Sequence, residues 1–241
     1  MSLVVSTAAW PETMPDFSAF EAGPDRKAVF FDYVEPLIAE ANKTVAADRK
    51  RLVEIASKSE FSWLDRWWLD KLAADYRIER GSMDEEQLLS TLMVRVDVVP
   101  MSLALAQAAK ESGWGTSRFA REANNLFGEW CFRPGCGIVP ENRLEGRKHE
   151  VEAFDTPRDS VVSYLRNLNT HDSYRSFRLE RARLRKSGAG LSGVELAEQL
   201  AHYSERREEY IKDIKHLIQF NKLADDAAAP ARGRQSVDAG G

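Results

Sequence analysis

The chain has 241 residues, 43% of them apolar and 30% charged, which suffices for one good-sized core or a core with a small appendage. A net charge of −4 argues against nucleic acid as a partner, and against an anionic membrane surface, because both need a clustered positive excess. No run of 18 apolar residues is present, so no transmembrane segment is expected, and residues 1–10 lack the basic start of a signal peptide.

Residues 1–24 carry Pro11, Pro15 and Pro24 and no hydrophobic period, which reads as an extended arm; Trp10, Phe17 and Phe20 give it the means to dock on the body. From 25 to 57, Val29, Phe30, Tyr33, Leu37, Ile38 and Ala41 recur at three- and four-residue steps. That spacing predicts one long helix, with Pro36 placed to kink it. A second helix over about 62–76 carries Trp63, Leu64, Trp67, Trp68 and Leu72, an aromatic stripe expected in the core. A third, over 83–94, has Asp84, Glu85 and Glu86 in its first turn, where the helix dipole favours negative charge. Pro100 suits the opening of the next helix, and 102–111 is apolar on nearly all sides, so it should lie inside the fold. Gly113 and Gly115 stop it, and a short helix follows over 116–124.

Residues 129–155 break the helical pattern with Pro134, Gly135, Gly137, Pro140 and Gly146, which predicts a two-stranded hairpin or an irregular β lobe. Cys131 and Cys136 flank the turn-prone Arg133-Pro134-Gly135. A lone C-x4-C is a poor zinc site, which leaves two buried thiols in a reducing compartment or a disulfide in an oxidising one. Helices resume at 158–169, at 174–186 and, with breaks, over 192–223, where the charge-dense run 204–210 reads as a solvated face. Residues 224–241 have almost no large apolar side chain and are expected to be disordered. The organisation is therefore an arm (1–24), a helical region (25–95), a second unit (96–223) that can share its core, and a tail.

The chemistry gathers at Lys110-Glu111-Ser112-Gly113-Trp114-Gly115-Thr116-Ser117 and Asn124-Asn125-Leu126-Phe127-Gly128. Glu111 falls in the last turn of the buried helix, where burial and the negative end of the helix dipole both favour its protonated form. A carboxyl kept neutral can donate a proton to a leaving oxygen. Trp114 can offer a flat face to a sugar ring, and Asn124 and Asn125 supply amides that suit hydroxyl and acetamido groups. The bland reading is an exposed helix-end glutamate followed by a turn. Four histidines (149, 171, 202 and 216) show no metal spacing, and no metal or cofactor is expected.

The longer pattern resembles the endo-β-N-acetylglucosaminidases of glycoside hydrolase family 73, in particular the Bax-type branch of bacterial glucosaminidase-domain proteins. It runs from Ala104 through Glu111 to Phe127-Gly128, then Glu129-Trp-Cys-Phe132, Gly135-Cys-Gly-Ile-Val-Pro140, His149-Glu-Val151 and Tyr164 to His171, covering about 85–223. The resemblance implies a mainly α, lysozyme-like fold with a small β-hairpin lobe and an N-terminal helical extension. It implies cleavage of the β-1,4 bond between N-acetylglucosamine and N-acetylmuramic acid in peptidoglycan glycan strands, by a monomer in the periplasm or cell envelope. An export signal would then be absent from this chain, and Cys131 and Cys136 would be oxidised. Glu111 falls on the family's acid, and Tyr174 on a tyrosine that the family places in the groove, with a core aromatic on a helix as the alternative; Phe127 joins the substrate-binding candidates. A second carboxylate is sought in the lobe, among Glu141, Glu145, Glu150 and Glu152, with Glu141 and Glu150 the leading candidates. Such a base far from Glu111 would let a water attack with inversion, whereas a substrate acetamido group acting as internal nucleophile would remove the need for one. A lytic transglycosylase and a non-catalytic peptidoglycan-binding scaffold are the alternatives.

Overall fold

The computed structural model describes residues 13–141, 143, 146–188, 190–201, 203 and 207–225. Trp10, Glu145, His202, residues 204–206 of the charged run and nearly all of the expected tail lie outside the described residues. The architecture is mainly helical and lysozyme-like, with one small antiparallel sheet.

Helix α1 runs Pro24–Ala56, a single element with Pro at its first position and Pro36 carried inside it. Its first half turns Phe30, Phe31, Val34, Leu37, Ile38 and Ala41 inward, and its last turns bury Leu52 and Ile55 in a second cluster. Helices α2 (Trp63–Asp75) and α3 (Glu85–Arg95) complete that second cluster, each opened by a reciprocal capping box, Ser62 with Asp65 and Asp84 with Gln87. The aromatic stripe expected along α2 divides. Trp68 and Leu72 are buried, but Trp63 (74% exposed), Leu64 and Trp67 face solvent, because a helix against one small cluster buries only one side.

Helix α4 (Met101–Glu111) is the axis of the larger core: every residue from Met101 to Ala109 is buried, and α1, α8 (Gly193–Ala197) and α9 (Arg207–Phe220) pack around it. Helix α6 (Pro157–Thr170) lies against α1, and α7 (Arg175–Lys186) against α3 and α6. The described part of the arm docks: Phe17, in a 3-10 turn, is fully buried, with its ring 5.3 Å from that of Phe30. Phe17 also explains Gly115, where any Cβ would collide with the Phe17 ring.

Among the described residues the lobe has three short strands, not two: β1 (Trp130–Cys131), β2 (Gly137–Ile138) and β3 (Glu150–Glu152), with β3 in the middle and antiparallel to both. Trp130 pairs with Val151, and Gly137 with Glu152. Cys131 and Cys136 are joined in a disulfide that closes the loop between β1 and β2. Among the described residues, no helix is long and apolar enough to cross a membrane.

Candidate active site

Three consecutive residues beyond α4, Gly113, Trp114 and Gly115, take positive φ, and this left-handed run reverses the chain at once. Buried Ser112 locks the reversal: its hydroxyl donates to the Ala108 carbonyl and accepts from the Gly115 N–H. Glu111 is thus held at the end of a helix that cannot move without disturbing the core. Burial raises its carboxyl pKa, partly offset by a hydrogen bond from Tyr210 and the charge of Lys110. A chain of hydrogen bonds fixes that donor. The Tyr164 hydroxyl donates to Gln107 Oε1 (2.6 Å), and Gln107 Nε2 donates to the Tyr210 hydroxyl (2.9 Å). Tyr210 therefore has its proton to give to Glu111.

Gly128 links Glu111 to a groove of about 620 Å³: it lines the groove, and a Cβ built on it would stand 3.5 Å from Glu111 Oε2. Its neighbours on the wall include Phe127, Glu129, Trp130, Tyr174 and Tyr203. A larger cavity, about 1060 Å³, lies between α1 and residues 98–101, but it has no aromatic wall and touches no part of the 111–128 motif.

The structure distributes the expected site residues unevenly. Tyr174 is buried on the groove wall with its pKa pushed up to about 12, mainly by burial and then by the charges of Glu129 and Glu111. Phe127 lines the groove and stacks on Tyr164 at 3.8 Å. Trp114 turns instead toward α1: Phe30 and Phe31 meet it edge to face, and the Lys27 ammonium lies 4.9 Å from its ring centre.

The two asparagines hold backbone. Asn124 caps α5 (Arg118–Ala123) in the left-handed conformation and donates to the carbonyls of Phe154 and Asp155. Asn125 is buried: its Nδ2 donates to the Glu129 and Glu152 carbonyls, and its Oδ1 accepts from the N–H groups of Phe127 and Glu129. Their amides clamp the lobe to α5, and the amide groups expected to meet a sugar are here engaged with backbone. Glu150 is likewise engaged. Its two oxygens accept the N–H groups of Gly135 and Gly137, which hold its pKa down and clasp the disulfide loop. Glu141 is exposed and paired with Arg118 at 2.7 Å.

One carboxyl group stands in the groove that the motif pattern did not single out. Glu129 follows Gly128 directly, lines the groove, and has its pKa pushed up to about 8 by burial. Nothing in its local sequence marks it, since the Ser163 that meets it at 3.3 Å comes 34 residues later.

Residues 86–223 match the family model of the glucosaminidases, described as mannosyl-glycoprotein endo-beta-N-acetylglucosaminidase. The chain is 33% identical over 215 residues to Protein bax of Escherichia coli (strain K12), covering 89% of this chain and 77% of that protein. No solved structure matches it. A family match over more than half the chain, a Bax-like relative over most of it, and a helix-end glutamate beside an aromatic groove lead to one assignment: the chain belongs to the glucosaminidase family and is a Bax-like glycosidase-type protein.

Proposed function

We propose that the chain hydrolyses the β-1,4 bond between N-acetylglucosamine and N-acetylmuramic acid in peptidoglycan, with Glu111 as general acid. The observation that carries this reading is the setting of Glu111: a carboxyl made less acidic by burial, held by Tyr210 and standing against groove residue Gly128. A proton kept on such a group near neutral pH is available to the glycosidic oxygen as the bond breaks. The acetamido oxygen of the same sugar then attacks the anomeric carbon, and water opens the ring so formed and returns a proton to Glu111. Tyr174, on the groove wall, positions the acetamido group. This course needs no lobe carboxylate as nucleophile, which accords with Glu150 being bound to backbone and Glu141 to Arg118. The substrate places the protein outside the cytoplasm, which the Cys131–Cys136 disulfide favours.

The test is mass spectrometry of purified peptidoglycan digested by the wild type and by Glu111→Gln. Fragments with reducing-end N-acetylglucosamine from the wild type alone are the expected result. Anhydromuramyl ends would move the reaction to transglycosylation, and fragments from both proteins would remove Glu111 from the chemistry.

A further inference from the structure

Glu129 is a half-buried acid with a buried carboxyl oxygen that neither the proposed chemistry nor the hydrogen bonding of the fold uses up. Its Oε1 meets the Ser163 hydroxyl of α6 at 3.3 Å, and its Oε2 is buried and has no hydrogen-bond partner among the described residues. An unpartnered buried carboxyl oxygen is costly unless something supplies the missing bond. The side chain lines the same groove as Gly128 and Tyr174, so the sugar that enters there is the natural supplier. Its backbone is pinned as firmly as that of Glu111. The Glu129 N–H donates to Asn125 Oδ1, and its carbonyl accepts from Asn125 Nδ2 and from the Glu152 N–H. A group fixed this precisely, with one open valence beside a groove, is built for contact and not for packing.

We propose that Glu129 is a second substrate-contacting carboxyl group, which binds in its protonated form and donates a hydrogen bond to an oxygen of an N-acetylated sugar in the groove. The proposal rests on the glycan-binding reading of this groove but not on Glu111 being the acid. The groups that face Glu129 are Ser163 and Tyr164 of α6, Glu152 of β3, Arg77 from the turn after α2, and Tyr174. Arg166, His171 and Tyr203 share the groove. Glu152 disfavours a second negative charge there and Arg77 opposes it, but burial outweighs both. At neutral pH the group is therefore a donor, whereas an ionised Glu129 would only accept.

The experiment is calorimetric titration with a tetramer of N-acetylglucosamine in the Glu111→Gln background, where no bond is cut. It compares Glu129 with Glu129→Gln at pH 6.5 and 9.5. The Gln side chain keeps a donor of the same shape and does not titrate. With a pKa of about 8, the neutral fraction of Glu129 falls to about one part in thirty at pH 9.5, so affinity should fall roughly thirtyfold with Glu129. It should change little with Glu129→Gln, which removes from the comparison any contribution of the other groups that line the groove. Equal pH dependence in the two proteins, or no binding at pH 6.5 when Glu129 is present, would overturn the proposal. Glu129→Ala should bind weakly at both pH values while melting cooperatively, and unchanged affinity would also count against a contact. The two readings fail separately, since peptidoglycan fragmentation tests Glu111 and hydrolysis, and this titration tests Glu129 and binding.

Discussion

At the scale of single residues, the two glutamates differ in how they become visible. Glu111 announces itself, because a carboxyl at the end of an Ala-rich apolar helix with glycines beyond can be read from spacing alone. Glu129 acquires its environment only when α6 and the 171–174 turn fold over it, so no local pattern could mark it. The same limit applies to Asn124 and Asn125, whose amides look free in sequence and are taken up by carbonyls about 30 residues away. Burial of Glu129 has a consequence for stability. Its carboxyl is protonated in the folded protein up to about pH 8, but in the unfolded chain only up to about pH 4.5. Between those values the folded state binds more protons, so stability is full below pH 4.5 and declines as pH rises through 8. Glu111 shifts in the same direction. Melting curves at pH 5, 7 and 9 should show the wild type losing stability with rising pH and Glu129→Gln losing distinctly less. Parallel declines would mean that Glu129 ionises without cost and is not buried as described.

At the scale of elements, the helices were legible because their apolar spacing and caps are local, while the lobe was legible only as a β lobe and not in its strand number, because its strands are two or three residues long. A third strand pairing across 15 residues leaves no periodic trace. What holds the lobe is a set of close contacts around β3. Gly137 has no room for a Cβ against the Val151 carbonyl, and Glu150 binds the two N–H groups that flank Cys136. The clasped loop carries Phe132 (71% exposed), which with Trp130 lines the groove, so the loop shapes the place where a glycan would lie. Replacing Glu150 by Gln turns one acceptor into a donor that faces an N–H group. The variant should melt several degrees lower, and dithiothreitol should reduce its disulfide faster than in the wild type, with weaker substrate binding as the functional result. Glu141→Gln removes only an exposed ion pair and should leave melting nearly unchanged. A Glu150→Gln protein with wild-type melting and reduction rates but no turnover would instead make Glu150 the catalytic base.

At the scale of the whole molecule, the helical extension and the catalytic part share their structure. Arg181 of α7 is fully buried, and its guanidinium donates to the carbonyls of Val94, Arg95, Asp97 and Val98, at the end of α3 and just beyond it. The Asp97 carboxylate ties Arg185 of α7 to Arg49 of α1. Helix α1 itself, about 50 Å long for 33 residues, crosses both cores. The family match begins only at residue 86, yet Phe30, Phe31, Val34, Leu37, Ile38 and Ala41 of α1 fill the same core as Leu103, Leu105 and Tyr164. Burying six such side chains contributes on the order of 10 kcal/mol, comparable to the whole stability of an ordinary domain. The fragment 86–223 should therefore fail to fold, with weakened helical circular dichroism and no cooperative thermal transition, whereas the full chain should unfold in one step followed equally by circular dichroism and tryptophan fluorescence. Adding residues 13–85 as a separate polypeptide should restore both signals in part, because the missing face of the core is then supplied in trans. A cooperative transition in the fragment alone would show that the catalytic core closes without α1 and would reduce the extension to an appendage.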